Sequence, residues 1–361
     1  MNNFAQCIID WQRTHGRHDL PWQDTCDPYR IWLAEIMLQQ TQVSTVIPYY
    51  QRFLARYRNV TDLAAESIDE VLRIWSGLGY YARARNLHAA ARYIVGELGG
   101  VFPREPEALA ALPGVGRSTA AAIRVFAFGA RAAILDGNVK RVLCRCFGVE
   151  GFPGNRRVES SLWSLADSLL PLCHIESYTQ GLMDLGATVC ARTQPACHLC
   201  PVRTECLAAR AGRIAEFPAP RPNRTPPRRN ATLLVLIDAS RVLLEKRPPV
   251  GVWGGLFSLP ELPDGADIPL YCAERLGCQV GAVTPLPSIA HAFTHFRLIL
   301  SPLHCAVITR RPQVKEDTYR WLDLGAAGGA ALPAPIKKLL LSLPPADRIR
   351  SERHDHAETG K

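Results

Sequence analysis

The chain has 361 residues and carries 42 Lys and Arg against 33 Asp and Glu, a formal charge of +9. Hydrophobic residues make up 47% and charged residues 21%, globular values that exclude wholesale disorder, and the length suits two domains. The most apolar helical stretch, Ala120 to Leu135, is interrupted by Arg124 and Arg131, which excludes a membrane span there, since one needs about 18 uninterrupted apolar residues.

Met1 to Trp11 has no basic region and holds Asp10, so it does not read as a secretory signal, and a cytoplasmic protein is expected (nucleoid-associated if bacterial). Disulfides are rare in that compartment, so the 12 cysteines need another cause. The positive balance fits a nucleic-acid partner, although 36 of the 42 basic residues are Arg, which codon bias would also produce.

Apolar periodicity predicts helices over Tyr29–Val43, Ile68–Trp75, Arg83–Leu98, Thr119–Phe128, Val139–Phe147 and Val158–Leu170. Residues 1–216 thus read as a mainly α domain. Residues 217–230 (FPAPRPNRTPPRRN), with five Pro and four Arg, read as an extended basic linker. Beyond it the period shifts towards two, predicting strands at Ala231–Ile237, Val242–Glu245, Phe293–Leu300 and Leu303–Ile308 and a closing helix over Leu332–Leu343. Residues 231–343 form a smaller α+β domain in this reading, and 344–361 a disordered tail.

Within the helical part, Cys190, Cys197, Cys200 and Cys206 place four thiols in 17 residues as C-x6-C-x2-C-x5-C. In a reducing compartment such a cluster points to metal, zinc or iron–sulfur. A single C-x2-C knuckle flanked by unequal loops suits an iron–sulfur cubane better than zinc.

Leu112-Pro113-Gly114-Val115-Gly116 lies just before the Thr119–Phe128 helix. Its glycines allow a tight turn with exposed N–H groups, which together with the helix N-terminus suit a phosphate oxygen. Glu35 shares a helix face with Ile31 and Leu38, where desolvation raises a carboxyl pKa and keeps a proton available for acid catalysis. Asp136 precedes Gly137-Asn138-Val139 as an N-cap, where the helix dipole favours the ionised form. Two carboxylates of opposite tendency are what glycosidic cleavage requires.

Taken together, the hairpin and the cysteine spacing about 75 residues after it resemble the endonuclease III branch of the helix-hairpin-helix DNA glycosylases. The runs A-E-I-M-L-Q-Q-T-Q-V around Glu35, G-L-G-Y-Y-A-R-A-R-N-L from Gly77 and L-D-G-N-V-K-R-V from Leu135 are similar to the MutY-type adenine DNA glycosylases. The resemblance implies a helix-hairpin-helix glycosylase fold whose four cysteines hold a [4Fe–4S] cluster. It further implies that Glu35 protonates adenine N7, Asp136 stabilises the sugar cation and Asn138 supports Asp136. Gln40, Thr41, Leu78 and Tyr80 are implied to wedge into the duplex or contact bases at the mispair, with Gly114, Val115, Gly116 and Ser118 at the DNA backbone. Bifunctional relatives place a Schiff-base Lys directly after the hairpin; Ser118 stands there and Lys140 is out of register, so a monofunctional enzyme is expected.

Ala231–Glu261 resembles a Nudix domain, but Pro269 and Leu270 replace the Arg-Glu pair of a Nudix hydrolase and only Glu274 is nearby, so diphosphate hydrolysis is not expected. Phe293-Thr294-His295 resembles the 8-oxoguanine recognition loop of the MutY type, with Thr in place of Ser. The resemblance implies a monomer acting on duplex DNA with adenine opposite 8-oxoguanine or guanine. The alternatives are an endonuclease III-like lyase and a non-catalytic iron–sulfur DNA-binding or redox-sensing protein.

Overall fold

The computed structural model describes residues 2–222, 225–293, 295–311 and 318–343. The chain folds into two compact units, one of Met1–Glu66 with Arg83–Asn223, the other of Ser67–Ala82 with Arg224–Lys361. The expected tail, 344–361, lies outside the described residues.

In chain order the helices are α1 (Asn2–His15), α2 (Pro28–Leu38), α3 (Val43–Arg56), α4 (Val60–Ala65), α5 (Ile68–Trp75), α6 (Ala82–Leu98), α7 (Pro106–Ala110), α8 (Arg117–Phe128), α9 (Gly137–Phe147), α10 (Arg156–Ser168), α11 (Ile175–Asp184) and α12 (Leu207–Arg210). Two more, α13 (Ile268–Arg275) and α14 (Ala334–Ser342), flank the sheet of the second unit. Among the described residues no helix is long and apolar enough to cross a membrane.

Helix α2 starts where Asp27 accepts from the Tyr29 N–H at 2.9 Å with Pro28 at the first turn. It stops at Leu38, short of the expected Val43, because Gln40 adopts a left-handed φ of 57°. The buried Arg83 guanidinium takes up the carbonyls left over, donating to Ile36, Met37 and Gln39 oxygens at 3.1, 2.7 and 2.6 Å. Helix α11, which apolar periodicity misses, carries the fully buried Asp184. Its carboxylate is held by the Arg17 guanidinium (Nε and Nη2, both 2.7 Å) and backbone N–H (2.8 Å) and by Gln180 at 2.8 Å. A buried charge on an otherwise apolar face hides the helical pattern until its partner is known.

The strands of the second unit are β1 (Arg228–Asp238), β2 (Arg241–Lys246), β3 (Phe257–Ser258), β4 (Glu261–Leu262), β5 (Cys278–Pro285), β6 (Ile289–Ala292), β7 (Arg297–Arg310) and β8 (Tyr319–Asp323). They form one sheet of order β3-β2-β1-β7-β5, with β4 on β1, β6 on β7 and β8 on β2. At its centre β1 and β7 run parallel, Arg228 opposite Arg297 through Ile237 opposite Ala306. Alternation on β1 divides the core: Leu233, Val235 and Ile237 pack with α14, while Leu234 and Leu236 pack with α13. The strands expected at 293–300 and 303–308 are, from Arg297 onwards, one strand, β7, with Phe293 and Phe296 closing a turn before it. Pro302 sits where its antiparallel neighbour changes from β6 to β5, so the missing N–H interrupts neither pairing.

Candidate active site

Helix α2 places Ile31, Glu35 and Leu38 along the wall of a cleft of about 640 Å³ in the first unit. Gln12, Arg17, His18, Trp22, Gln23 and Glu176 line the rest of it. Arg17 is anchored from behind by Asp184, so a fixed cation stands at the cleft beside apolar groups. Burial, reinforced by the charge of Asp136, pushes the Glu35 carboxyl from an ordinary 4.5 to about 8. The two carboxylates that the sequence could not place together are therefore electrostatic neighbours.

Asp136 caps α9, its Oδ1 accepting from the Val139 N–H at 2.7 Å. Its pKa does not move opposite to that of Glu35, as the cap alone suggests. Burial raises it, against the N–H groups of Val139 and Asn138 and the charges of Arg141 and Lys140. What separates the pair is this opposition: four stabilisers of the anion surround Asp136, and both influences on Glu35 raise its pKa.

Ser118, at the start of α8, spends its hydroxyl on structure, Oγ accepting from the Leu135 N–H at 3.0 Å and tying the hairpin helix to the residue before Asp136. Arg141, one turn into α9, donates to Asn138 Oδ1 at 2.9 Å, Gly186 O at 2.5 Å and Cys190 O at 2.7 Å. Gly186 accepts this approach only for want of a side chain, since a Cβ would meet Asn138 Cβ at 2.5 Å. Arg141 and Arg145 stand four residues apart on one face of α9, a periodicity through which this linkage was detectable in the sequence.

In the hairpin only Gly114 has positive φ, +79°, and a Cβ there would meet Asn86 Cβ at 2.9 Å. Gly116 is extended and caps α8 without a side chain, leaving open space in front of the helix N-terminus. The Val115 side chain is buried and its N–H closes the hairpin turn, donating to Leu112 O at 3.0 Å. Gln39 closes the hairpin onto α2, donating to Gly114 O and Thr119 Oγ1 at 3.2 and 3.3 Å. Gln40 is exposed, whereas Thr41 is drawn inward by Arg83 Nη2 at 3.0 Å.

Cys190, Cys197, Cys200 and Cys206 line one small apolar pocket with Arg145, Arg203 and a fifth thiol, Cys146. The buried Arg145 guanidinium donates to Cys190 Sγ at 3.3 Å and to the carbonyls of Cys190, Ala191, Arg192 and Phe217, gathering the loop around itself. Among the described residues no three His, Cys, Asp or Glu converge on a single metal ion; the thiols stand around the pocket wall.

Two of the expected DNA-contacting residues belong to the second unit. Leu78 is 5% exposed and Tyr80 51%, the latter in a left-handed conformation (φ 50°) that a bulky residue adopts at a cost. Phe293 starts a turn closed by its N–H to Phe296 O at 2.9 Å, and His295 is exposed on it; Thr294 lies outside the described residues. Phe293 stacks on Phe296 at 4.6 Å and meets His291 edge-on at 4.7 Å, with Trp253 5.9 Å from both Phe293 and His291. Glu261 of the Nudix-like run is paired with Arg247 at 2.7 Å.

These features match what the comparisons with known proteins return. Residues 33–168 match the HhH-GPD superfamily of base excision DNA repair proteins, and 232–342 match the NUDIX domain. A thermostable thymine-DNA glycosylase structure is 33% identical with a TM-score of 0.53, covering 58% of this chain and 96% of its own. An endonuclease III trapped covalently on DNA shares the fold at 22% identity and a TM-score of 0.50, covering 58% of this chain and 97% of its own. The chain is thus a DNA glycosylase of the helix-hairpin-helix class carrying a Nudix domain. The adenine DNA glycosylase of Buchnera aphidicola (subsp. Acyrthosiphon pisum) is 33% identical, covering 93% of this chain and 96% of its own. That of Mus musculus is 34% identical, covering 93% of this chain and 77% of its own. The chain belongs to the adenine DNA glycosylase family.

Proposed function

We propose that this protein is a monofunctional glycosylase that removes adenine from adenine:8-oxoguanine and adenine:guanine mispairs in duplex DNA. The observation that carries the reading is the Glu35 carboxyl, raised to about 8 by burial and by Asp136, at a cleft large enough for a nucleobase. A duplex shields the sugar–base bond, so the adenosine leaves the stack and enters the cleft. Protonated Glu35 gives its proton to adenine, the C1′–N9 bond breaks with its electron pair going to the base, and ionised Asp136 faces the sugar cation. Water then adds at C1′ and releases a proton. The Ser118 hydroxyl is engaged with the Leu135 N–H, and with no amine at that position no Schiff base forms, which separates this reading from a lyase.

Donor chemistry supports a [4Fe–4S] cluster on Cys190, Cys197, Cys200 and Cys206: four thiols ring one apolar pocket beside Arg145 and Arg203, whose charges complement a tetrathiolate site. When bound, the cluster cross-links the loop. Arg145 and Arg141 connect that loop to α9 and so to Asn138. In the second unit the aromatic set around Phe293, with His295 exposed beside it, supports a role in reading 8-oxoguanine. We place the enzyme in the cytoplasm as a monomer on DNA.

Incubation with an adenine:8-oxoguanine duplex followed by alkali is expected to cleave the strand at the adenine. No cleavage would overturn the reading, and nicks formed without alkali and trapped by borohydride would favour the lyase.

A further inference from the structure

The basic Arg-Pro run expected as a linker does not end as one: its last three residues, Arg228–Asn230, open β1. There β1 runs parallel to β7 with Arg228 opposite Arg297, which puts both side chains on one face of the sheet, from strands about 4.8 Å apart. Like charges so placed repel, and the ordinary remedy is a carboxylate, as Glu261 serves Arg247 and Asp238 serves Arg310 in the same unit. Among the described residues Arg228 and Arg297 pair with none, and the segments that meet here, 225–237 and 286–300, contain no Asp or Glu. Further along this face α13 covers Leu234 and Leu236. At the Arg228 end the face is open: Arg228, Asn230 and Arg297 are exposed, as is Ala292, which pairs with Arg297 and leaves the guanidinium groups room. On the opposite face Arg229 Cζ lies 4.6 Å from the centroid of the Phe296 ring, and Phe296 closes the turn that runs straight into Arg297.

We propose that Arg228 and Arg297 clamp backbone phosphates of the DNA strand whose base the turn after Phe293 reads. The proposal rests on the 8-oxoguanine reading above. A phosphate oxygen set between two guanidinium groups replaces their repulsion with charge-assisted hydrogen bonds, and each planar fork matches phosphate geometry. The residues exposed at this end are Arg, Asn and Ala, a polar sheet surface without bulky side chains that would hold a strand away, and Arg297 stands two residues from His295. An acidic protein segment offers the same charge, but the place of the pair beside the base-reading turn favours DNA. Contacts to phosphate carry no sequence information, so the clamp sets the register of the strand and leaves the choice of base to the turn.

The test compares the full chain with the double variants Arg228→Gln/Arg297→Gln and Arg228→Lys/Arg297→Lys, the fold of each checked by circular dichroism. Binding is read by fluorescence anisotropy on an undamaged duplex and on an adenine:8-oxoguanine duplex whose adenosine carries a 2′-fluoro sugar, so that no excision occurs. The Gln pair is expected to bind both duplexes at least about tenfold more weakly at low salt, with the slope of log affinity against log salt smaller by roughly two. The Lys pair keeps both charges and most of the slope. Neutral methylphosphonates placed beside the 8-oxoguanine should weaken the wild type and leave the Gln pair nearly unaffected. Should the double variant unfold, the single Gln variants make the same comparison, each lowering the slope by about one. An unchanged slope in a folded Gln variant, or one that stays as sensitive to the methylphosphonates as the wild type, overturns the proposal alone. A wild-type chain that does not prefer the 8-oxoguanine duplex to the undamaged one overturns the recognition reading, and this proposal with it.

Discussion

In the proposed mechanism Glu35 is the residue on which the chemistry turns, and its pKa makes two measurable demands. Excision needs the protonated carboxyl, so its rate should fall as pH rises through about 8, while the acid limb follows protonation of Asp136. Stability follows the same proton. The folded-state pKa lies above the ordinary 4.5, so the favourable contribution is complete below 4.5 and is lost as pH rises through about 8. Glu35→Gln removes that titration. The variant should release no adenine, bind the mispair nearly as well as the wild type, and gain stability relative to it between pH 5 and 9. The gain is at most about 4 kcal/mol before solvent in the cleft screens it, and urea denaturation at the two pH values reads it. If mispair binding fell as far as catalysis, Glu35 would be structural. At this scale the apolar neighbours of Glu35 at i−4 and i+3 were legible in the sequence, and they line the cleft with it. The pattern around Asp136 was less complete, because a cap favours the anion but says nothing about how deeply the cap is buried.

Elements hold the pair in register, and the devices are short-range. Arg83 closes α2 by giving one nitrogen to three carbonyls, a geometry that the Lys ammonium does not reproduce alongside its bond to Thr41. Arg83→Lys is expected to lower stability by roughly 2 kcal/mol, measured by urea denaturation, since several buried carbonyls lose their donor. Gly186 accommodates Asn138 by lacking a Cβ. Gly186→Ala should leave the fold intact by circular dichroism yet reduce single-turnover adenine release about tenfold or more, because it displaces the start of α9 that carries Asp136. Wild-type turnover in Gly186→Ala would show that α9 tolerates the shift. Neither device is visible as periodicity. Both are close approaches between segments more than 40 residues apart in the chain.

For the whole molecule, the +9 charge and the open hairpin N-terminus predict that duplex affinity is largely electrostatic. Binding to undamaged duplex should weaken at least about tenfold between 50 and 200 mM salt, as measured by fluorescence anisotropy. A flat salt dependence would remove the phosphate-binding role of the hairpin. The proposed reading of 8-oxoguanine rests on residues of the second unit. Thr294→Ala with His295→Ala is expected to narrow the ratio of excision opposite 8-oxoguanine to excision opposite guanine, while the acid limb set by Asp136 stays where it is.

The sequence by itself registered the helical and α+β character of the two halves, seven of the fourteen α-helices among the described residues, the four clustered thiols and the two candidate carboxylates. Those features are local: a cap, a glycine, a spacing of 3.6 or of two registers in the chain directly next to its cause. It could not determine that Asp136 raises Glu35, that Asp184 anchors Arg17 inside the first unit, that Ser118 is engaged with Leu135, or that a fifth cysteine joins the pocket. Each of these depends on desolvation or on a partner far along the chain. Burial and pairing are properties of the packed fold, and only the tertiary structure decided them.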